Sequence, residues 1–308
     1  MDRIVFIGGT TASGKTALSL SIAQEYDGEI ISCDSMQIYR HLDIGTAKPT
    51  AEERRAVPHW LIDFLEPDQA YSVYDYVTAA NEAIRDIRSR GKTPIVCGGT
   101  GMYMSALLHG YDYSDTGHDS GLLKSIEAVY DGPDGPEILL DEIRRANPDH
   151  AEKISTKDRK RIVRAVELLR MTGLTYSFHP GRAENGHIKE SRCVLLTADN
   201  RSVLYDRIHV RVDAMMQKGL LDEARWVYEN RERFRTAVAA IGYKEFFPYF
   251  EGIRTLAACV DDLKQATRHY AKRQLTWFRK ETEFKSYYID RYTQEELYQL
   301  VKEYLVKD

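Results

Sequence analysis

Along the first hundred residues, short unbroken apolar runs alternate with longer stretches whose apolar positions recur every three or four residues. RIVFI (3–7), EIISCDS (29–35) and TPIVCGG (93–99) are apolar on both alternating faces, the pattern of strands buried between two layers. Between them, residues 15–26 (KTALSLSIAQEY) and about 73–90 carry helical spacing. Gly91 stops the second helix, and a third begins near Thr100. A loop with Gly45 and Pro49 leads into the apolar HWLIDFL segment. Strands and helices alternating at this length predict a parallel sheet with helices on both faces.

The rhythm then changes. From about residue 112 to 186 no strand is readable, but LLKSIEAVY, EILLDEIRRA and KRIVRAVELLRMTG have helical periods, separated by turns such as GPDGP. SRCVLLTA (191–198) restores one strand, and the remainder of the chain is helical except for KSYYI near the end. The expected organisation is a core of residues 1–111 and 191–308, interrupted by an all-helical insertion at 112–190. No internal repeat or low-complexity tract is present.

Composition narrows the function class. With 308 residues, 43% hydrophobic and 29% charged, the chain is an ordinary folded protein, and no apolar run approaches the ~20 residues that span a bilayer. The first strand follows the start at once and leaves no room for a secretory signal, so a cytoplasmic protein is expected. Four cysteines, Cys33, Cys97, Cys193 and Cys259, stand far apart and form no CxxC metal pair. The net charge of −4 alone argues against nucleic acid, but its distribution argues the other way. Residues 112–152 hold eleven acids against three Lys or Arg, whereas 157–170 and 264–280 hold six basic residues each. Charge segregated this way permits a local phosphate-binding surface.

The sharpest motif is Gly9-Thr10-Thr11-Ala12-Ser13-Gly14-Lys15-Thr16, a full match to G-x-x-x-x-G-K-[ST] between a strand and a helix. Backbone N–H groups around the glycines and the helix start form a phosphate cradle, to which Lys15 adds a point charge and Thr16 a hydroxyl for Mg²⁺. The loop does not say which phosphate compound it holds. Asp34, at the carboxyl end of the second strand, has three readings: a turn cap, a carboxylate holding Mg²⁺ through water, or a general base facing the cradle. Thr100 in GGTGMY reaches the same edge or is a plain helix cap. Arg207 and Arg211 lie four residues apart and either face the phosphate site or form a surface pair. KDRKRIVRAVE and TRHYAKRQLTWFRK combine Lys and Arg with apolar or aromatic positions. They suit RNA phosphate and base stacking, or are solvated faces with a core side.

In GTTASGKT, ISCDSMQIYRHLDIGTAKP, VPHWLID, YSVYDY, GGTGMY, DRKRIVRAVEL, RIHVRVDAMMQKGLLDEA, AIGYKE and TRHYAKRQLTWFR, running from residue 9 to 279, the chain resembles the tRNA dimethylallyltransferase (isopentenyl transferase) family. The resemblance implies a P-loop-type α/β sheet flanked by helices, whose insertion grips a tRNA anticodon stem-loop, and transfer of a dimethylallyl group to an adenine beside the anticodon. It implies that Gly9 to Thr16 bind the diphosphate of dimethylallyl diphosphate with Mg²⁺ at Thr16. Asp34 would be the general base, Thr100 would orient the reactants and Arg211 would hold the diphosphate. It also implies tRNA contacts from Asp34, Ser35, Met36 and Gln37, from Lys160, Arg161 and Arg164, from Ile241, Gly242, Tyr243 and Lys244, and from Lys272, Arg273, Gln274, Trp277 and Arg279. No protein partner is required, and a monomer is expected.

The chain departs from the family pattern at Thr10, where proline is usual, at Trp60, in place of a second histidine, and at His209, in place of a common asparagine. No C-terminal zinc finger like that of many eukaryotic members is readable in these 308 residues, so a bacterial-type member is expected. Two other classes stay in view, along with a near relative of the family that the tRNA-grip segments disfavour. The classes are a small-molecule kinase using the same loop and a nucleotide-gated RNA-binding module without chemistry; the relative is an isopentenyltransferase acting on free adenine nucleotides.

Overall fold

The computed structural model describes residues 3–306 except 111, 114–116, 118, 176–177, 180–186 and 235. In chain order the first half contains β1 (Ile4–Gly9), α1 (Lys15–Glu25), β2 (Gly28–Cys33), α2 (Ala51–Ala56), β3 (His59–Trp60), α3 (Val73–Ser89), β4 (Thr93–Gly98) and α4 (Gly101–His109). The insertion contains β5 (Asp112–Tyr113), α5 (Ser120–Tyr130), α6 (Gly135–Ala146), α7 (Pro148–Ala151), α8 (Arg159–Thr172) and β6 (Phe178–His179). The chain then returns through β7 (Ser191–Thr197), α9 (Arg201–Gln217), α10 (Leu220–Glu229), α11 (Phe247–Phe250), α12 (Leu256–Phe278), β8 (Lys285–Tyr288) and α13 (Gln294–Val306). Among the described residues no helix is long and apolar enough to cross a membrane.

Six strands form one parallel sheet in the order β3-β2-β4-β1-β7-β8. β1 is buried along its whole length, as a central parallel strand must be. Its side chains alternate between two cores. Ile4 and Phe6 pack with α3 and α4 through Tyr76, Ala80, Ile84 and Leu107, while Val5 and Ile7 pack with α1 and α13 through Leu18, Ile22, Leu297 and Val301. Each such aliphatic side chain stabilises the fold by roughly 1.5–3 kcal/mol relative to exposure. A third apolar cluster joins α9, α10 and α12 to Ile38, Tyr39 and Leu42 beyond the end of β2. The expected parallel α/β sheet is therefore present, with the carboxyl ends of β1, β2 and β4 side by side.

The chain divides into two compact units, Met1–His109 with Gly186–Asp308, and Gly110–Asn185. The insertion has its own apolar centre, built from Ile126, Leu139, Ile143, Ile162 and Val166. Two expectations need correction here. The insertion is not all-helical, because Asp112–Tyr113 pairs antiparallel with Phe178–His179. Two-residue strands carry too little periodicity to be read from sequence. Its later boundary also falls before residue 190, because the His187 N–H donates to the Leu108 carbonyl and its ring pairs with Asn81, which ties this segment to the core. Residues 114–116 and 180–186, near both expected boundaries, lie outside the described set.

Candidate active site

β1 delivers the chain into the glycine loop, and α1 starts at Lys15 with Gly14 as its cap in the left-handed region (φ 93°). No side chain caps this helix start, so its first N–H groups remain available to an anion. Ala12 is also left-handed, and the loop closes through a Ser13 N–H to Thr10 carbonyl bond. The hydroxyls of Thr10 and Ser13 are buried, with no hydrogen-bond partner among the described residues. Thr10, where the family usually has proline, is fully buried, and its carbonyl accepts from the Lys15 ammonium at 2.6 Å. Burial brings Lys15 down to about 8; the nearby charge of Arg211 acts in the same direction, and Cys97 and Asp34 oppose it. Thr16 is exposed on the first turn of α1.

Asp34 follows β2 directly. Its Oδ1 accepts from the N–H groups of Met36 at 2.9 Å and Gln37 at 3.3 Å, which makes it a turn cap in fact. The described hydrogen bonds of Asp34 all fall on that oxygen, so capping leaves Oδ2 for other work. Thr100, at the end of β4, accepts from the Ser35 N–H at 3.1 Å and so clips the β2 and β4 ends together. Tyr270 lies beside Thr100, and burial raises its phenol well above the usual range. Arg211, half-buried on α9, feels the Asp34 carboxylate, while desolvation pulls its guanidinium below its usual value. Arg207, one turn earlier, points its guanidinium toward Gly14. One sheet edge therefore gathers the phosphate loop, Asp34, Thr100 and Arg211, together with Tyr270 and Arg207.

The expected RNA contacts sort into outward and inward groups. Lys272, Arg273 and Trp277 on α12, and Arg279 just after its end, are exposed, as is Lys244. Trp277 is 39% exposed and is not a core residue. Lys272 and Arg279 share a shallow cleft with Arg201 and Tyr205 on α9, two residues that sequence patterning does not single out because they lack the dense basic run that marks α12. Ile241 is half-buried. Gly242 and Tyr243 are turned in. The Gly242 N–H donates to Glu245, and the buried Tyr243 hydroxyl donates to Glu223 at 2.8 Å. Glu223 also accepts from the N–H groups of Asp43, Ile44 and Gly45 and so fixes the DIGTAKP loop. Gln37 spends its amide on Ser32, Thr46 and Ala47. Gln274 is 5% exposed; its Oε1 accepts from the Thr11 N–H at 2.8 Å and its Nε2 donates to the Gly99 carbonyl at 2.9 Å. As placed, the side chains of Gln37, Tyr243 and Gln274 and the Gly242 N–H are hydrogen-bonded within the chain.

Within the insertion, Asp158 caps α8 and Gly173 ends it in the left-handed region. Lys160 and Arg161 are exposed, with Arg161 beside Asp158 at 3.3 Å. Arg164 differs. It pairs at 2.6 Å with the fully buried carboxylate of Glu167 and donates to the Gly117 carbonyl, so its charge serves the insertion's interior.

The other two departures also have local accounts. The Trp60 indole N–H donates to Glu29 at 2.8 Å, beside a bidentate Arg90, and Arg268 bonds the His209 ring nitrogen at 2.6 Å.

Comparison with known proteins adds a second line of evidence. The IPP transferase family model matches residues 37–281, and an isopentenyl transferase model matches residues 2–64. The tRNA dimethylallyltransferase of Bacillus subtilis (strain 168) is 42% identical over 276 residues, 90% of this chain and 87% of that one. The Levilactobacillus brevis tRNA dimethylallyltransferase is 44% identical over 283 residues, 92% and 91% of the two chains. Among solved structures, the tRNA isopentenylpyrophosphate transferase of Bacillus halodurans aligns over 99% of this chain and 97% of its own, with a TM-score of 0.71 and 38% identity. A eukaryotic dimethylallyltransferase acting on tRNA aligns over 90% of this chain and 70% of its own, with a TM-score of 0.74 and 30% identity. With a phosphate loop, a strand-end carboxylate and relatives matched along nearly their whole length, this chain belongs to the tRNA dimethylallyltransferase family.

Proposed function

We propose that this enzyme transfers a dimethylallyl group from dimethylallyl diphosphate to the exocyclic N6 amine of the adenine immediately 3′ of the tRNA anticodon, position 37, and releases diphosphate. The observation that carries this reading is the meeting of the glycine loop, Asp34, Thr100 and Arg211 at one sheet edge, next to a helix whose exposed face and C-terminal end carry Lys272, Arg273, Trp277 and Arg279. An adenine amine is a poor nucleophile because its lone pair is delocalised into the ring. As its nitrogen attacks the allylic carbon, the carbon–oxygen bond to diphosphate breaks, and that electron pair leaves with the diphosphate. The proton leaves the nitrogen for Asp34, whose second oxygen is not engaged in the cap.

Charge grows on the leaving oxygens, so donors fixed in advance lower the barrier: the N–H groups at the start of α1, Lys15 and Arg211. Mg²⁺ takes hard oxygen ligands, which the exposed Thr16 hydroxyl and the Asp34 carboxylate supply in kind; when bound, the ion would neutralise charge on the diphosphate. Thr100 positions the Asp34 turn through the Ser35 N–H. The target base must leave its stack to reach this edge, which suits an exposed tryptophan and a cationic helix. A monomer working in the cytoplasm is part of the same proposal. The test is incubation with unmodified tRNA, Mg²⁺ and dimethylallyl diphosphate, followed by nucleoside mass analysis. An adenosine heavier by one dimethylallyl group supports the reading, and ATP consumption with a small alcohol acceptor and unmodified RNA overturns it.

A further inference from the structure

α12 starts at a Thr255 cap whose hydroxyl accepts from Ala258 N–H, and it runs 23 residues without Gly or Pro. Tyr270, Gln274 and Trp277 fall at i, i+4 and i+7, on one stripe of this rod. All three meet the turn that follows β4, and Gln274 reaches the glycine loop as well. Tyr270 lies beside Thr100, Gln274 bonds both Thr11 and Gly99, and the Trp277 indole lies where a Cβ on Gly101 would stand. Gly99 is equally constrained, since a Cβ there would collide with the Gln274 amide nitrogen. The glycines of GGTGMY thus let the helix approach the sheet edge closely.

We infer that Gln274 is a positioning residue for the phosphate loop: its buried amide, braced on the Gly99 carbonyl, holds the Thr11 N–H and thereby sets the loop conformation that receives the donor diphosphate. The inference deepens the proposed function and rests on its assignment of the loop to the donor. Two features single Gln274 out. Both ends of the amide are used, in a direction the two backbone partners dictate, so no flipped or shortened side chain replaces it. The Thr11 N–H precedes the α1 N–H groups that face an anion, so the brace fixes the loop from outside without occupying the cradle. Gln274 touches no reacting atom on this account and acts through Thr11.

The test measures binding of inorganic diphosphate with Mg²⁺, and separately of an unmodified anticodon stem-loop, to the wild type, Gln274→Met, Gly99→Ala and the double variant. Thermal melting checks that each variant is folded. Gln274→Met removes both hydrogen bonds at similar volume, and Gly99→Ala displaces the same amide by a new methyl. Each is expected to weaken diphosphate binding about tenfold, the scale of two intramolecular hydrogen bonds, with stem-loop affinity within about twofold of wild type. The double variant is expected to be no weaker than the worse single, because both remove one brace. In turnover, KM for the prenyl diphosphate rises and KM for tRNA does not. Loss of stem-loop affinity in Gln274→Met would make Gln274 an RNA contact and overturn the inference, as would diphosphate affinities equal to wild type or strictly additive losses. Should Gln274→Met not fold, Gly99→Ala decides the same question. Wild-type protein that binds no diphosphate would overturn the loop assignment and the inference with it, an outcome distinct from binding that the variants leave intact.

Discussion

The Lys15 ammonium donates to the Thr10 carbonyl at 2.6 Å, so the loop's only lysine is folded back onto the loop that it serves. Burial holds it at about 8, which makes its charge conditional near neutral pH. A bound diphosphate stabilises the protonated form. Diphosphate affinity is therefore expected to be nearly flat below pH 7.5 and to fall by up to about tenfold per pH unit above 8, where binding must take up a proton. Lys15→Arg removes this inflection, since a guanidinium stays charged. Calorimetric titration between pH 6.5 and 9.5 measures it, and an unchanged inflection in Lys15→Arg would assign it to another group. Lys15→Ala and Thr16→Ala should both damage diphosphate binding and leave stem-loop affinity nearly unchanged.

Asp34→Asn keeps an oxygen for the Met36 and Gln37 N–H groups, so the turn should survive. What it loses is a proton acceptor. Turnover is expected to fall by about 10² to 10⁴ with tRNA and diphosphate binding retained. Full activity would sink the base assignment, and collapse of Mg²⁺-dependent diphosphate affinity would move Asp34 to the metal.

Arg161 and Arg164 stand three residues apart on α8 and are expected to behave differently. Arg161 is exposed, so Arg161→Ala should reduce the log–log salt slope of tRNA binding by roughly 0.7–0.9, one phosphate contact, and weaken acceptor tRNAs alike. Arg164→Ala leaves the buried Glu167 carboxylate short of its 2.6 Å partner and should cost roughly 1–3 kcal/mol of stability in the insertion. Salt titrations and thermal melts of both variants separate the roles, and identical slopes for wild type and Arg161→Ala would show a merely solvated face.

Glu29, buried at the start of β2, is held down to about 2, first by Arg90 and then by the Trp60 indole, against the opposing effect of burial. Because its folded value lies below the unfolded one, its contribution is fully present above about pH 4.5 and is lost as pH falls toward 2. Glu29→Gln should therefore narrow its stability deficit against wild type steadily through that window. Melting temperatures at pH 5, 4 and 3 give the comparison, and a constant difference would remove Glu29 from the acid response.

Much of the site was legible because its chemistry is local. Gly9 to Thr16 is contiguous, and Asp34 and Thr100 each follow a strand that announces itself by apolar run length. The direction of polar side chains in the RNA-like segments was not legible. Gln274 and Thr11 are 263 residues apart, and Tyr243 meets Glu223 from a separate helix. A sequence window shows that Arg161 and Arg164 share a helix, but the buried acid that claims one of them becomes visible only when α8 packs. Tyr270 escaped as a site residue for the same reason, since its spacing marks a helix face and not the Thr100 side chain just beyond β4.

The sheet order also bears on how the chain is made. β1 is central, yet one of its two neighbours is β7, with Val5 opposite Arg192 across the whole insertion. During synthesis, the first four strands and the finished insertion emerge while one edge of β1 still has no partner, and that edge runs along Val5, Phe6 and Ile7. Until residue 197 has left the ribosome, the half that already contains Lys15 and Asp34 is an open sheet. Its α12 brace comes later still, which makes this the edge where mispairing during synthesis is expected.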